Sequence, residues 1–445
     1  MNALLAALAL ALGVAVGYFV PDYGASAVVF CAAFALLAGA VIYRVEGDRS
    51  FLLRLFVAGL LIRMVIGTVI HILGLQVFFG ADAITYDEQG FTQLLVWKGE
   101  VFEDQPLGVG WGMVYVVAAI YWILGRNPLA IQYVNCVIGA ATAVIIYLCA
   151  QHIFRNNRVA RAAAIFVAFY PSLVLWSAQG LKDGPTVFMI SIAMLMTLRL
   201  GEKLSLKRFL ILLGALLSLL SLRFYIFYLV VAAIIGSYII GMQQLRQQSF
   251  ARQCLIIAGI VVALASLGLL RTASDQIETY ADLERIQRSR LDMVQRAESG
   301  FGQDIDVSTP SGALSAIPIG MTYLLFAPFP WQVTNLRQSI TLPEMIIWWG
   351  SFPLLVLGLW FTIKYRMRQC LPILIFTSML TLSYSVFQGN VGTAYRQRSQ
   401  LLVFYFIFVA VGGVLLRERN EDRRREAELV KQAVRAHGRR SSQSI

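Results

Sequence analysis

The chain has 445 residues, of which 58% are hydrophobic and 14% charged, with a formal net charge of +12. Soluble chains carry about 25% charged residues, so an ordinary cytosolic enzyme is excluded. The basic excess is not a nucleic-acid footprint, because it gathers in short connectors and in the carboxyl-terminal tail, where Arg417–Arg440 hold nine Lys and Arg against five acids.

Taken in order, the apolar runs Ala3–Val20, Ser26–Tyr43, Cys254–Leu270 and Leu401–Leu416 match a hydrocarbon core about 30 Å thick crossed at 1.5 Å per residue. The first run lacks a basic leading region and reads as a retained helix. A third span is expected over Val57–Phe79, with Arg63 snorkelling from its inner end. Basic connectors follow at Arg155/Arg158/Arg161, Arg199–Arg208, Arg246/Arg252 and Lys364–Arg368. All face the cytoplasm only if Gly108–Gly125 and Ala313–Phe326 do not cross; otherwise nine Lys/Arg fall on the wrong side, against three in the opposite connectors. The reading is an all-α polytopic protein of about 12 transmembrane helices with extracytoplasmic juxtamembrane helices and both termini cytoplasmic.

Three regions result: two amino-terminal spans in 1–51, a membrane body in 52–416 with large outer loops at 80–128 and 271–342, and a basic cytoplasmic tail in 417–445. Within the second loop, Ser274–Ser299 has the spacing of an amphipathic helix, and Gly300–Pro318 reads as a loop. The tail reads as a frayed helix or a disordered segment. The five cysteines sit in or beside apolar runs without paired spacing and behave as small hydrophobes. Three histidines without a carboxylate-rich motif argue against a histidine metal site.

Ionisable groups at the membrane edge are costly and therefore candidates for function. Asp82, Asp87 and Glu88 follow the third span closely, with Tyr86 one helical turn after Asp82. Helix capping is the structural alternative for Asp82. Lys182-Asp183 lies between two spans just before Pro185, where capping and snorkelling are again alternatives. Arg223 sits at a hairpin tip, and Arg396 and Arg398 precede the last span on the outer face. A planar guanidinium there suits a phosphate oxygen.

Asp82-x-x-x-Tyr86, Leu181-Lys182-Asp183, Leu222-Arg223-Phe224-Tyr225 and Gly392-Thr393-Ala394-Tyr395-Arg396-Gln397-Arg398 together resemble the C-type (GT-C) membrane glycosyltransferases. The nearest branch is that of protein mannosyltransferases and lipopolysaccharide-core glycosyltransferases of the bacterial inner membrane. The resemblance implies a GT-C-like catalytic body over 52–416 and a catalytic base at Asp82, with Asp87 or Glu88 as substitutes. It also implies substrate binding by Tyr86, Lys182, Asp183, Arg223, Tyr395, Arg396 and Arg398. The expected partners are a polyprenyl-phosphate sugar and a glycolipid, polysaccharide or protein acceptor. No cofactor is assigned, and a divalent cation stays open. The expected reaction is inverting transfer on the extracytoplasmic face, needing a base for the acceptor hydroxyl and a cation for the phosphate. A lipid-linked polysaccharide polymerase or ligase is the alternative enzyme. A lipid-linked glycan transporter ranks lower, because neither symmetry between halves nor a mid-membrane carboxylate is visible.

Overall fold

A computed structural model describes residues 3–45, 47–102, 110–242, 247–266, 282–295, 299–333 and 335–441. The described residues are helical nearly throughout. Helices α1 (Ala3–Phe19), α2 (Gly24–Tyr43) and α3 (Arg49–Ile72) come first, followed by the short α4 (Gln76–Gly80). Gly74, at φ +63°, lies between α3 and α4, a left-handed conformation that ends α3 without a Cβ clash. The expected span over Val57–Phe79 is therefore shifted: α3 starts earlier and stops at Ile72. Helices α5 (Asp82–Trp97) and α6 (Gly112–Leu124) form a hairpin.

The central layer is α7 (Pro128–Phe154), α8 (Asn157–Phe169), α9 (Pro171–Ser177) and α10 (Asp183–Glu202). Helices α11 (Leu206–Leu222), α12 (Phe224–Met242), α13 (Gln247–Ser266), α14 (Leu283–Gln295) and α15 (Pro310–Phe326) follow. The chain closes with α16 (Leu336–Tyr365), α17 (Met367–Phe387), α18 (Val391–Gln397) and α19 (Ser399–Ser441).

The core forms because α7 and the first part of α19 are apolar all round and are buried on nearly every side. Helix α3 contributes a stripe, Leu52, Leu55, Phe56, Leu60 and Met64, against α7. Helices α16 and α19 cross closely where a Cβ on Gly358 would lie 1.9 Å from the Phe408 carbonyl oxygen, and one on Gly412 2.1 Å from that of Leu354. Small residues at such crossings let backbones approach where lipid supplies no hydrophobic drive.

The protein is a polytopic membrane protein. Among the described residues, eight helices are long and apolar enough to cross, or nine if α8 and α9, bent by 56°, form one broken span. The other three expected crossings coincide with α1, α11 and α13. Helix α6 lies in one of the two stretches read as not crossing, and its 13 residues reach about 20 Å. Helix α15 occupies the other stretch read as not crossing. It starts at Pro310, so the second half of the expected Gly300–Pro318 loop is helical. The amphipathic segment appears as α14, while most of its expected first part lies outside the described residues, as do Arg246 and most of 271–282. Past Leu416 the chain continues as helix α19 rather than fraying at once.

Arg63 does not snorkel. It is 1% exposed and donates to the carbonyls of Gly59 (2.8 Å), Val167 (3.2 Å) and Ala168 (2.7 Å) and to Ser177 Oγ (2.8 Å). Pro171 opens α9 and cannot donate an N–H, so the last carbonyls of α8 lack helical donors. Arg63 supplies them and complements the negative end of α8. The break it stabilises carries the chain through Pro171 and Trp176 to Asp183.

The basic connectors meet one another at one end of the bundle. Arg158 pairs with Glu421 at 2.9 Å, Arg161 pairs with Asp48, and Arg252 donates to the Glu202 carbonyl at 2.6 Å.

Candidate active site

Four interhelical connections converge at the opposite end: α4–α5, α9–α10, α11–α12 and the turn through α18. Asp82 and Asp183 each occupy the first residue of a helix, yet neither side chain caps it. Both instead bind arginine. Arg396 on α18 donates from Nη1 to Asp82 Oδ2 (2.7 Å), and from Nε (3.0 Å) and Nη2 (2.6 Å) to Asp183 Oδ2. Arg223 Nη2 donates to Asp183 Oδ1 at 2.7 Å, and Nη1 to the Tyr225 hydroxyl at 2.8 Å. The Tyr225 hydroxyl lies 3.3 Å from that of Tyr384, which donates to Gln400 at 2.8 Å. Asp183, 1% exposed, thus has both oxygens engaged and fixes two cations. Its burial is tolerable only because it is paired.

Lys182 donates to the Gly110 carbonyl at 3.2 Å and stands 5.9 Å from the Tyr86 ring centroid. Burial, reinforced by Arg223, lowers its ammonium to about 8. Burial, with Asp82 adding to it, pushes the Tyr86 hydroxyl up to about 12. Burial disfavours the Arg396 charge, but Asp183 and Asp82 outweigh it and hold the guanidinium protonated beyond its ordinary range.

Asp82, Lys182, Arg223 and Arg396 line a cavity of about 840 Å³. Its wall also includes Ile66, Phe78, Phe79, Leu175, Ile340 and Phe387. One space therefore joins a charged cluster to apolar surface, the arrangement an amphiphile with an anionic head requires.

Of the other sequence candidates, Asp87, Glu88 and Arg398 fall elsewhere, and Tyr86 lines the same smaller cavity as Asp87. Asp87 binds Arg126 Nη2 at 2.6 Å and accepts from the Tyr121 hydroxyl, holding the α5–α6 hairpin to the start of α7. Glu88 is exposed. Of the three acids after α3, Asp82 lines the large cavity and Asp87 a separate one of about 150 Å³ with His71 and Gln132. Arg398 is 1% exposed and faces inward, donating to the carbonyls of Leu325 (2.9 Å) and Ala327 (3.1 Å). Those contacts tie α19 to the end of α15. Tyr395 lines the cavity, and its hydroxyl donates to Glu344 Oε2 at 2.8 Å.

Several cavity residues escaped the sequence reading, among them Arg337, Glu344 and Trp176. Glu344, 4% exposed, carries an Oε1 without a hydrogen-bond partner. It is the only acid in the thirty residues of α16, a signal that an acid inside an apolar helix should have given. Trp176 lies 5.8 Å from the Arg396 guanidinium and had no signal, since a tryptophan in an apolar run looks like any other.

Among the described residues, no group of three His, Cys, Asp or Glu side chains gathers as a metal site. Asp82 and Asp183 are each bound by guanidinium groups.

Fold and cavity define a polytopic membrane protein with a charged cluster beside apolar walls. Residues 104–268 match the family model of dolichyl-phosphate-mannose-protein mannosyltransferases, a stretch that includes Lys182, Asp183 and Arg223. This match supports a membrane glycosyltransferase of the C-type class. No curated protein matches the chain. Among solved structures, the archaeal oligosaccharyltransferase AglB from Archaeoglobus fulgidus, in complex with an inhibitory peptide and a dolichol-phosphate, is similar at a TM-score of 0.45 and 12% identity. The similarity covers 84% of this chain and 52% of AglB, so the chain spans about half of that protein's length.

Proposed function

We propose that the protein transfers a sugar from a polyprenyl-phosphate carrier to a hydroxyl of a glycolipid, polysaccharide or protein acceptor, with inversion and with Asp82 as general base. The observation that carries this reading is the single cavity in which Asp82, Lys182 and Arg396 stand beside apolar walls. The acceptor oxygen attacks the anomeric carbon, and its proton passes to the Asp82 carboxylate. The bond from that carbon to the phosphate oxygen breaks, and its electron pair leaves with the polyprenyl phosphate. Lys182 and Arg396 balance the charge gathering there. Arg223 and Asp183 hold Arg396 in place, and the isoprenoid lies against Phe78, Phe79 and Ile340.

The reaction face is extracytoplasmic. Supporting this, the Arg158, Arg161 and Arg252 connectors gather at the end of the bundle away from the cavity, as the positive-inside bias requires of cytoplasmic loops. Both termini are then cytoplasmic, and the resemblance points to the bacterial inner membrane.

The test is consumption of radiolabelled polyprenyl-phosphate sugars by purified protein. Arg396→Ala should raise the donor KM roughly tenfold or more, and Arg396→Lys should recover part of the loss by keeping charge without the fork. Equal donor KM in all three proteins would remove Arg396 from the donor site.

A further inference from the structure

Arg396 is gripped on one side only. Nε and Nη2 both donate to a single Asp183 oxygen, and the other Asp183 oxygen is held by Arg223. Trp176 lies against the guanidinium, so the cradle leaves Nη1 as the group directed elsewhere. Nη1 donates to Asp82. Asp82 is the loose member: its side chain is 55% exposed, against 1% for Asp183, and it does not cap α5.

A phosphate drawn into the cavity by Lys182 and Arg396 brings a second anion to a position already held by a carboxylate. Two anions on one N–H edge repel, and the one not anchored yields. Resting on the glycosyl-transfer reading above, we propose that Arg396 is a latch on the general base: it holds Asp82 in the empty enzyme and exchanges it for the donor phosphate. Donor binding thereby releases Asp82 towards the acceptor hydroxyl. Binding is ordered, donor first.

The latch makes a counterintuitive demand, because removing the catalytic charge must strengthen donor binding. A partly exposed ion pair of this kind contributes at most about 1 kcal/mol, a factor of about five at 1.4 kcal/mol per tenfold. Asp82→Asn should therefore bind a short-chain polyprenyl phosphate about two- to fivefold more tightly than wild type while transferring almost nothing. The gain should vanish in an Arg396→Gln background, measured over a tenfold higher lipid range. Isotope trapping should carry pre-bound labelled donor, and not pre-bound labelled acceptor, into product. Unchanged or weaker binding by Asp82→Asn would overturn the latch. So would a gain that survives in Arg396→Gln, since Asp82 would then repel phosphate directly. If the wild-type protein binds no polyprenyl phosphate at all, the donor reading fails first and separately.

Discussion

Lys182 shows how much a single residue's surroundings determine. A lysine on a membrane edge normally snorkels to water, but here burial and Arg223 bring its ammonium down to about 8. In the free protein its charge is present below that pH and lost above it, so donor affinity should fall as pH rises through about 8. Lys182→Arg should remove the fall, because a guanidinium stays charged throughout. Titrations of polyprenyl phosphate from pH 6.5 to 9.5 measure this, and parallel curves for both proteins would contradict it. Stability has the opposite sign: folding resists charging this lysine, so that cost is present below about 8 and fades towards the unfolded value near 10.4. Asp82, Lys182, Asp183, Arg223 and Arg396 stand out in the sequence as charged groups at the ends of apolar runs, and the fold brings them together. Arg398 stood out equally but serves packing, and nothing in its neighbourhood separates it from Arg396 two residues earlier. Only the fold shows that their side chains point opposite ways.

At the scale of elements, the α5–α6 hairpin sets where Asp82 can be. Its helices touch at Gly90, where an added Cβ would lie 2.3 Å from Val117 Cγ1. Gly90→Ala should force them apart, cost about 1–3 kcal/mol and lower transfer by displacing α5. Val117→Ala in the same chain should restore much of both. Thermal unfolding in detergent and transfer rates test this, and full activity in Gly90→Ala alone would mean the hairpin tolerates the shift. The break between α8 and α9 was less legible. Pro171 disfavours helix at the residue before it, but neither the 56° bend nor its stabilisation by Arg63 could be read from spacing, because the partners lie more than a hundred residues apart in the chain. Arg63→Leu should orphan the Val167 and Ala168 carbonyls and lower stability by about 1–3 kcal/mol for each, more than Arg63→Lys.

For the whole molecule, hydropathy alone gave the architecture, since a bilayer leaves helices as the economical way to satisfy the backbone. The count of crossings is harder, because α1, α11 and α13 are apolar without meeting the length and hydropathy that α7 or α16 meet. Sidedness is testable directly. With the exposed Cys254 replaced, a cysteine at Gln303 should react with an impermeant thiol reagent on intact spheroplasts, and one at Arg368 only after lysis. The reverse pattern would invert the protein in the membrane. The central claim is that Asp82 takes the acceptor's proton, and single-turnover transfer by purified, donor-saturated Asp82→Asn tests it most directly. The side chain does not cap α5, so this variant should keep its melting temperature. Its transfer rate should fall by about 10²–10⁴ while Asp87→Asn stays within a few-fold of wild type. Near-wild-type transfer by Asp82→Asn would contradict the account.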